Sequence, residues 1–179
     1  MFKKIIIILL LIIASPFILA LFVADSYHVE REVVIEQPVE QVFSYIKLLK
    51  NQGNYSTWAQ MDPAMETEYR GEDGTVGFVS AWRSKHPEVG VGEQEIIKID
   101  ENQRIDFELR FKEPFQSIDP AYMITEQAPE GTRVKWGFSG HMDYPMNLML
   151  LVVDFEQMLG DDLQMGLENL KEVLEHPVE

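Results

Sequence analysis

Glu93 and Glu95 stand two residues apart, in phase with Ile97 and Ile99. On a strand, that phase puts all four side chains on one face. Turned into an apolar cavity, the two carboxyls would have raised pKa values suited to general acid–base work. Turned outward by a local bulge they would be surface charges, since acids are rarely buried without a partner. Arg110 lies on the outward phase of its own stretch, beside Glu108, and reads as a solvent cation rather than an anion clamp. The four histidines (His28, His86, His141 and His176) are scattered, and none has a second ligand at metal-binding spacing. His141 is the one at a strand end. The chain carries no metalloprotease HExxH, no nucleophile elbow and no P-loop. Gly90-Val91-Gly92 lacks the rest of a dinucleotide fingerprint. With no cysteine in the sequence, thiol nucleophiles, zinc ribbons and iron–sulfur ligation are excluded. No metal or cofactor is therefore expected.

The aromatic residues form a more coherent set. Tyr69, Phe78, Trp82, Phe107, Phe111, Tyr122 and Trp136 fall on strand-like stretches, in phases that can share one face. Met146, Met149, Phe155 and Met158 come from a helical stretch near the C-terminus. Such residues either fill a core or line a deformable apolar pocket, because Met adapts its shape while Tyr and Trp add a polar handle. The seven strand aromatics, with Met149 and Phe155, are the candidate ligand-binding residues.

The elements that must hold them are legible from the pattern. A first strand runs from Tyr27 to Ile35. In Gln37-Pro38-Val39-Glu40-Gln41-Val42-Phe43, Pro38 suits a first helical turn and Glu40 its positive end. From Met65 to His141 about six strands follow, with turns at Asp73-Gly74 and Glu130-Gly131 and a polar corner from Asp100 to Gln103. Ile105, Phe107, Leu109 and Phe111 alternate with charged residues, as a half-buried strand requires. The phase is muddled from Val89 to Ile99, where a bulge near Gly90 and Gly92 is expected. Such one-sided alternation implies an antiparallel sheet with one covered face. The cover is a helix from Pro145, interrupted at Gly160 and recapped by Asp161 and Asp162. Its second half buries Leu163, Leu167, Leu170 and Leu174 and exposes Glu168 and Lys171.

Ahead of these elements lies an uncharged apolar run at residues 5–24, preceded by Lys3 and Lys4. At ~1.5 Å per residue a helix of this length spans ~30 Å, the thickness of a bilayer core. The run exceeds the apolar region of a signal peptide and lacks a good small-x-small cleavage site. The expectation is an uncleaved, single-pass anchor through residues 5–24, with its tail cytoplasmic and the rest outside; the alternative is secretion after cleavage. The chain thus divides into residues 1–24, tail and anchor, and residues 25–179, one domain. A formal charge of −15 argues against a nucleic-acid partner.

Four segments give the element order a family likeness: Gln37 to Phe43, Gln103-Arg104-Ile105, Gly131-Thr132-Arg133-Val134-Lys135-Trp136, and Gly166-Leu167-Glu168-Asn169-Leu170-Lys171. With them the chain resembles the START-related SRPBCC superfamily, in particular its polyketide cyclase/dehydrase-like branch. The resemblance implies an α+β helix-grip fold, in which a curved antiparallel sheet wraps around a long C-terminal helix and leaves a cavity between them. Here one N-terminal transmembrane helix would precede it. Three functions fit: a membrane-anchored domain binding a hydrophobic small molecule or lipid; a cyclase- or dehydratase-like enzyme using a cavity acid or tyrosine; and an interaction module with a filled core. Fold alone does not choose among them. The missing triad and metal motifs favour binding.

Overall fold

In the computed structural model, which describes residues 2–177, a seven-stranded antiparallel sheet grips a long helix. After helix α1 (Phe2–Ala20) come β1 (Ser26–Ile35), α2 (Val39–Ile46), a 3-10 helix (Leu49–Asn54) and the short α3 (Thr57–Met61). Six strands follow: β2 (Glu66–Arg70), β3 (Val79–Arg83), β4 (Val91–Asp100), β5 (Arg104–Glu113), β6 (Ser117–Ala128) and β7 (Gly131–His141). A second 3-10 helix (Met146–Leu151) leads into α4 (Phe155–Glu175). The sheet order is β1-β7-β6-β5-β4-β3-β2, so β2 to β7 form a meander and β1 closes it along β7. Met1, Val178 and Glu179, at the outer ends of the two expected segments, lie outside the described residues.

Period-two patterning carries the core. Ile105 and Phe107 on β5, Met123 on β6, Val134 on β7 and Val29 on β1 point to the inner face, where Leu163, Leu167, Leu170 and Leu174 of α4 meet them. Val42, Phe43 and Ile46 of α2 close the far end. The bulge expected near Gly92 is present as a register shift between Val91 and Gly92, and a second shift between Ile96 and Lys98 leaves Ile97 exposed. At Gly92 the missing side chain has a purpose: a Cβ there would lie 2.6 Å from Cζ2 of Trp82, its cross-strand partner.

Several expectations need correction. α4 does not begin at Pro145 and does not break at Gly160. It starts at Phe155, where the Asp154 carboxylate accepts the Gln157 N–H at 3.0 Å, and runs unbroken to Glu175. Gly160 is there for space, since a Cβ would collide with the Arg31 guanidinium, which donates to the Glu156 carbonyl at 3.2 Å. Lys171, expected at the surface, is half-buried and donates to the Val34 carbonyl at 2.6 Å. α1 ends at Ala20, four residues short of the apolar run. The side chain of the buried Asn147, on the second 3-10 helix, donates to the carbonyls of Ala20 (2.8 Å) and Val23 (3.1 Å) and ties the end of α1 to the domain.

Candidate functional site

Between the sheet and α4 lies a cavity of about 270 Å³. Two adjacent rows across the sheet build its wall. Strand register sets Tyr69, Ser80, Gln94 and Leu109 side by side on β2 to β5, and Thr67, Trp82, Gly92 and Phe111 beside them. All of these except Gly92 line the cavity, together with Met65, Ala121, Trp136 and Phe138. Leu159 and Leu163 of α4 face them, and Trp58 and Ala59 of α3 and Gln52 of the first 3-10 helix form the far side. The rings brace one another edge to face: Trp82 on Phe111 at 6.0 Å, Phe111 on Phe138 at 6.4 Å, and Trp58 on Trp136 at 6.2 Å. All three tryptophans of the chain line this space.

Of the nine candidate residues, Tyr69, Trp82, Phe111 and Trp136 come together on the cavity wall. The other five stand elsewhere. Phe78 and Phe107 are buried in the core beneath, Phe78 stacked 6.0 Å from Tyr69. Tyr122 lies on the outer face, because Phe107 pairs with Ala121 and so fixes the odd positions of β6 as inward. Its hydroxyl bonds to the Glu30 carboxylate and its ring carries the Arg104 guanidinium at 4.2 Å. Burial first, then the Glu30 carboxylate, push the Tyr122 hydroxyl up to about 12, so it stays protonated at neutral pH. Phe155 stacks on Tyr27 at 5.2 Å, and Met149 is exposed on the 3-10 helix, because the turn at Val152–Asp154 separates that segment from α4.

The paired acids of β4 also face outward. Glu93 accepts from Arg110 Nε at 2.8 Å and from Lys112 Nζ and Arg70 Nη2 at 3.0 Å. Arg110 spans further, to Glu108 at 2.6 Å and Glu95 at 2.7 Å, and is the hub of a lattice rather than a lone solvent cation. Lys112, with Arg70 and Arg110, holds the Glu93 carboxyl down at about 2, opposite to the rise that general acid–base work would need. The sign follows directly. A carboxyl whose pKa drops on folding stabilises the fold above its unfolded value near 4.5, and that stabilisation drains away as pH falls through about 2. The urea midpoint should therefore decline between pH 5 and pH 2, and Glu93→Gln should flatten the decline; unchanged pH profiles in the variant would contradict this assignment. Among the described residues no three His, Asp or Glu side chains are placed to hold a metal ion.

The sequence model of a family described as "Polyketide cyclase / dehydrase and lipid transport" matches residues 26–175. The chain belongs to this family. Its polyketide cyclase-like fold is shared with solved structures at low identity. The Aha1 dimer from Colwellia psychrerythraea is 14% identical, with a TM-score of 0.60 over 86% of this chain and 99% of that one. Protein MLL2253 from Mesorhizobium loti is 15% identical, TM-score 0.60, covering 86% and 100%. TTHA0849 from Thermus thermophilus is 20% identical, TM-score 0.58, covering 83% and 97%. A search among curated proteins finds no matching sequence.

The wall of this polyketide cyclase-like domain also includes residues outside the nine candidates, among them Gln52, Trp58, Thr67, Ser80, Gln94, Leu109, Phe138, Leu159 and Leu163. Leu109 and Phe138 shared the phase of chosen neighbours and were open to detection. Trp58 sits on a five-residue helix with no periodic signal, and Gln94 falls between the two bulge positions.

Proposed function

We propose that residues 25–179 form one ligand-binding domain, tethered to a membrane by α1, that holds a hydrophobic small molecule in the cavity between sheet and helix. The observation that carries this reading is the cavity itself: an aromatic wall drawn from four strands and closed by α4. The family's description, which names lipid transport, supports it. The tether rests on α1, a helix long and apolar enough to cross a membrane, with Lys3 and Lys4 marking its cytoplasmic end.

A second feature supports the tether. Phe22, Phe115, Ile118, Met146, Leu151 and Val152 are all exposed. They gather at the sheet end where α1 departs: Ser26 of β1 pairs with His141 of β7, and the His141 N–H donates to Asp119 at the start of β6. Exposed apolar groups around the foot of an apolar helix suit the headgroup boundary of a bilayer.

Because every tryptophan lines the cavity, intrinsic fluorescence reads its occupancy. Full-length protein taken from the membrane fraction into lipid nanodiscs should transfer Trp excitation to 1-aminoanthracene saturably. Trp82→Ala should weaken that binding by ~1–3 kcal/mol, the loss of one apolar contact patch. If wild type binds no probe and Trp82→Ala instead loses ~3–5 kcal/mol of stability, the aromatics are filled core. A soluble chain whose N-terminus begins near Asp25 would show a cleaved leader and overturn the tether.

A further inference from the structure

The cavity wall is mostly apolar. Besides Ser56, Thr67, Tyr69 and the exposed Glu88, its polar side chains are Gln52, whose Nε2 is buried without a partner among the described residues, and the pair Gln94 and Ser80 in the sheet. Gln94 is 8% exposed and lines the cavity, yet its carboxamide makes no hydrogen bond to any of the described residues. Its cross-strand neighbour Ser80, also on the wall, has a hydroxyl equally without a bonded partner among them. A buried amide left unmatched is costly, and such groups are kept where something else completes them. Side by side, an amide and a hydroxyl offer both donors and acceptors, and neither carries charge.

The charges around them matter as much. Among the described residues no lysine, arginine or histidine lines the cavity, and the one ionisable acid on its wall is Glu88, exposed at the mouth. Lys50 sits 5.2 Å over the ring of Tyr69 without lining the space. Asp162 on α4, off the cavity wall, has its carboxyl pKa raised by burial first and then by the nearby Glu88 and Asp161. A carboxylate or phosphate drawn inside would lose its hydration with no cation to meet it and Glu88 to repel it. An ammonium would find Glu88 only at the entrance.

Resting on the binding function proposed above, we infer that the cavity selects an uncharged amphiphile: a hydrocarbon or aromatic body with one neutral hydrogen-bonding group, an alcohol or amide, received by Gln94 and Ser80. Anionic lipids and free fatty carboxylates are excluded. The polar group goes in first and the apolar body fills the aromatic wall behind it.

The test uses full-length protein in nanodiscs, with tryptophan fluorescence read against a matched eight-carbon series: 1-octanol, octanamide, octanoate and octylammonium at pH 7. The alcohol and the amide should bind at least about tenfold more tightly than either ion, the scale of leaving a charge unpaired in an apolar site. Gln94→Leu should weaken 1-octanol about tenfold and anthracene, which has no hydrogen-bonding group, far less, because only the polar contact is removed. Ser80→Ala should weaken it less and serves as the second variant if Gln94→Leu misfolds. Octanoate binding as tightly as 1-octanol, or 1-octanol indifferent to both substitutions, would overturn the selection while 1-aminoanthracene binding kept the cavity function intact. Failure of every ligand, 1-aminoanthracene included, would remove both.

Discussion

Leu170→Ala should cost the domain ~2–5 kcal/mol, enough to consume a large share of the stability of an ordinary domain. Leu170 is fully buried on the face of α4 that the sheet grips, between Leu167 and Leu174. Losing its side chain removes apolar contact and leaves a hole that the sheet, pinned by its register, cannot close. The adjacent Lys171→Ala provides the contrast. Its loss frees the Val34 carbonyl and breaks the 3.0 Å pair with Glu175, which itself accepts the Glu36 N–H at 2.7 Å. About 0.5–1.5 kcal/mol is expected, the net worth of one such bond. Urea melts of the two variants separate the faces; equal effects would show α4 rotated from the assigned orientation.

Gly131→Ala should be nearly as damaging, at about 2–4 kcal/mol, from a single added methyl. Gly131 opens β7 with φ +141°, where side chains are rarely accommodated. A Cβ there would run into the Ile35 carbonyl and lie 2.9 Å from the Glu36 Cα. These neighbours are backbone and cannot swing aside. The next residue, Thr132, donates its hydroxyl to the Gln37 carbonyl at 2.7 Å, so the hairpin is stitched to the β1–α2 connection at this point. The clash must therefore open the seam. A variant melting within about 0.5 kcal/mol of wild type, the range of a neutral surface change, would show that the seam yields freely.

What the residue pattern disclosed followed from periodicity. Strands with strict alternation, such as β5 and β7, revealed both their limits and their inner faces, and four of the nine candidates reached the wall by that route. At Tyr122 periodicity is not enough. Its stretch reads Ala121-Tyr122-Met123-Ile124, apolar on both phases, so only pairing with β5 decides which face is inward. On β4 the two register shifts erased the phase, which made Glu93 and Glu95 ambiguous and hid Gln94, whose neighbours on either side are those same acids. Gly160 misleads for a different reason. Next to Asp161 and Asp162 it has the local chemistry of a break, but it answers a distant demand, the room taken by Arg31. Local sequence reports backbone preference; it does not report what lies across the fold.

The short link at residues 21–25 has a consequence for traffic. Fully extended, those residues reach at most ~18 Å, and Asn147 shortens them by holding Ala20 and Val23. With α1 in a bilayer, the domain is stationary in height. It drifts laterally with its membrane but has no slack with which to cross a gap to a facing membrane. A ligand held as proposed would then enter and leave within roughly one domain's breadth of the lipid, either from that leaflet or from a partner that comes to it. Loading would follow the amount of ligand per area of membrane rather than per volume of fluid, the behaviour of a docked reservoir and not of a ferry.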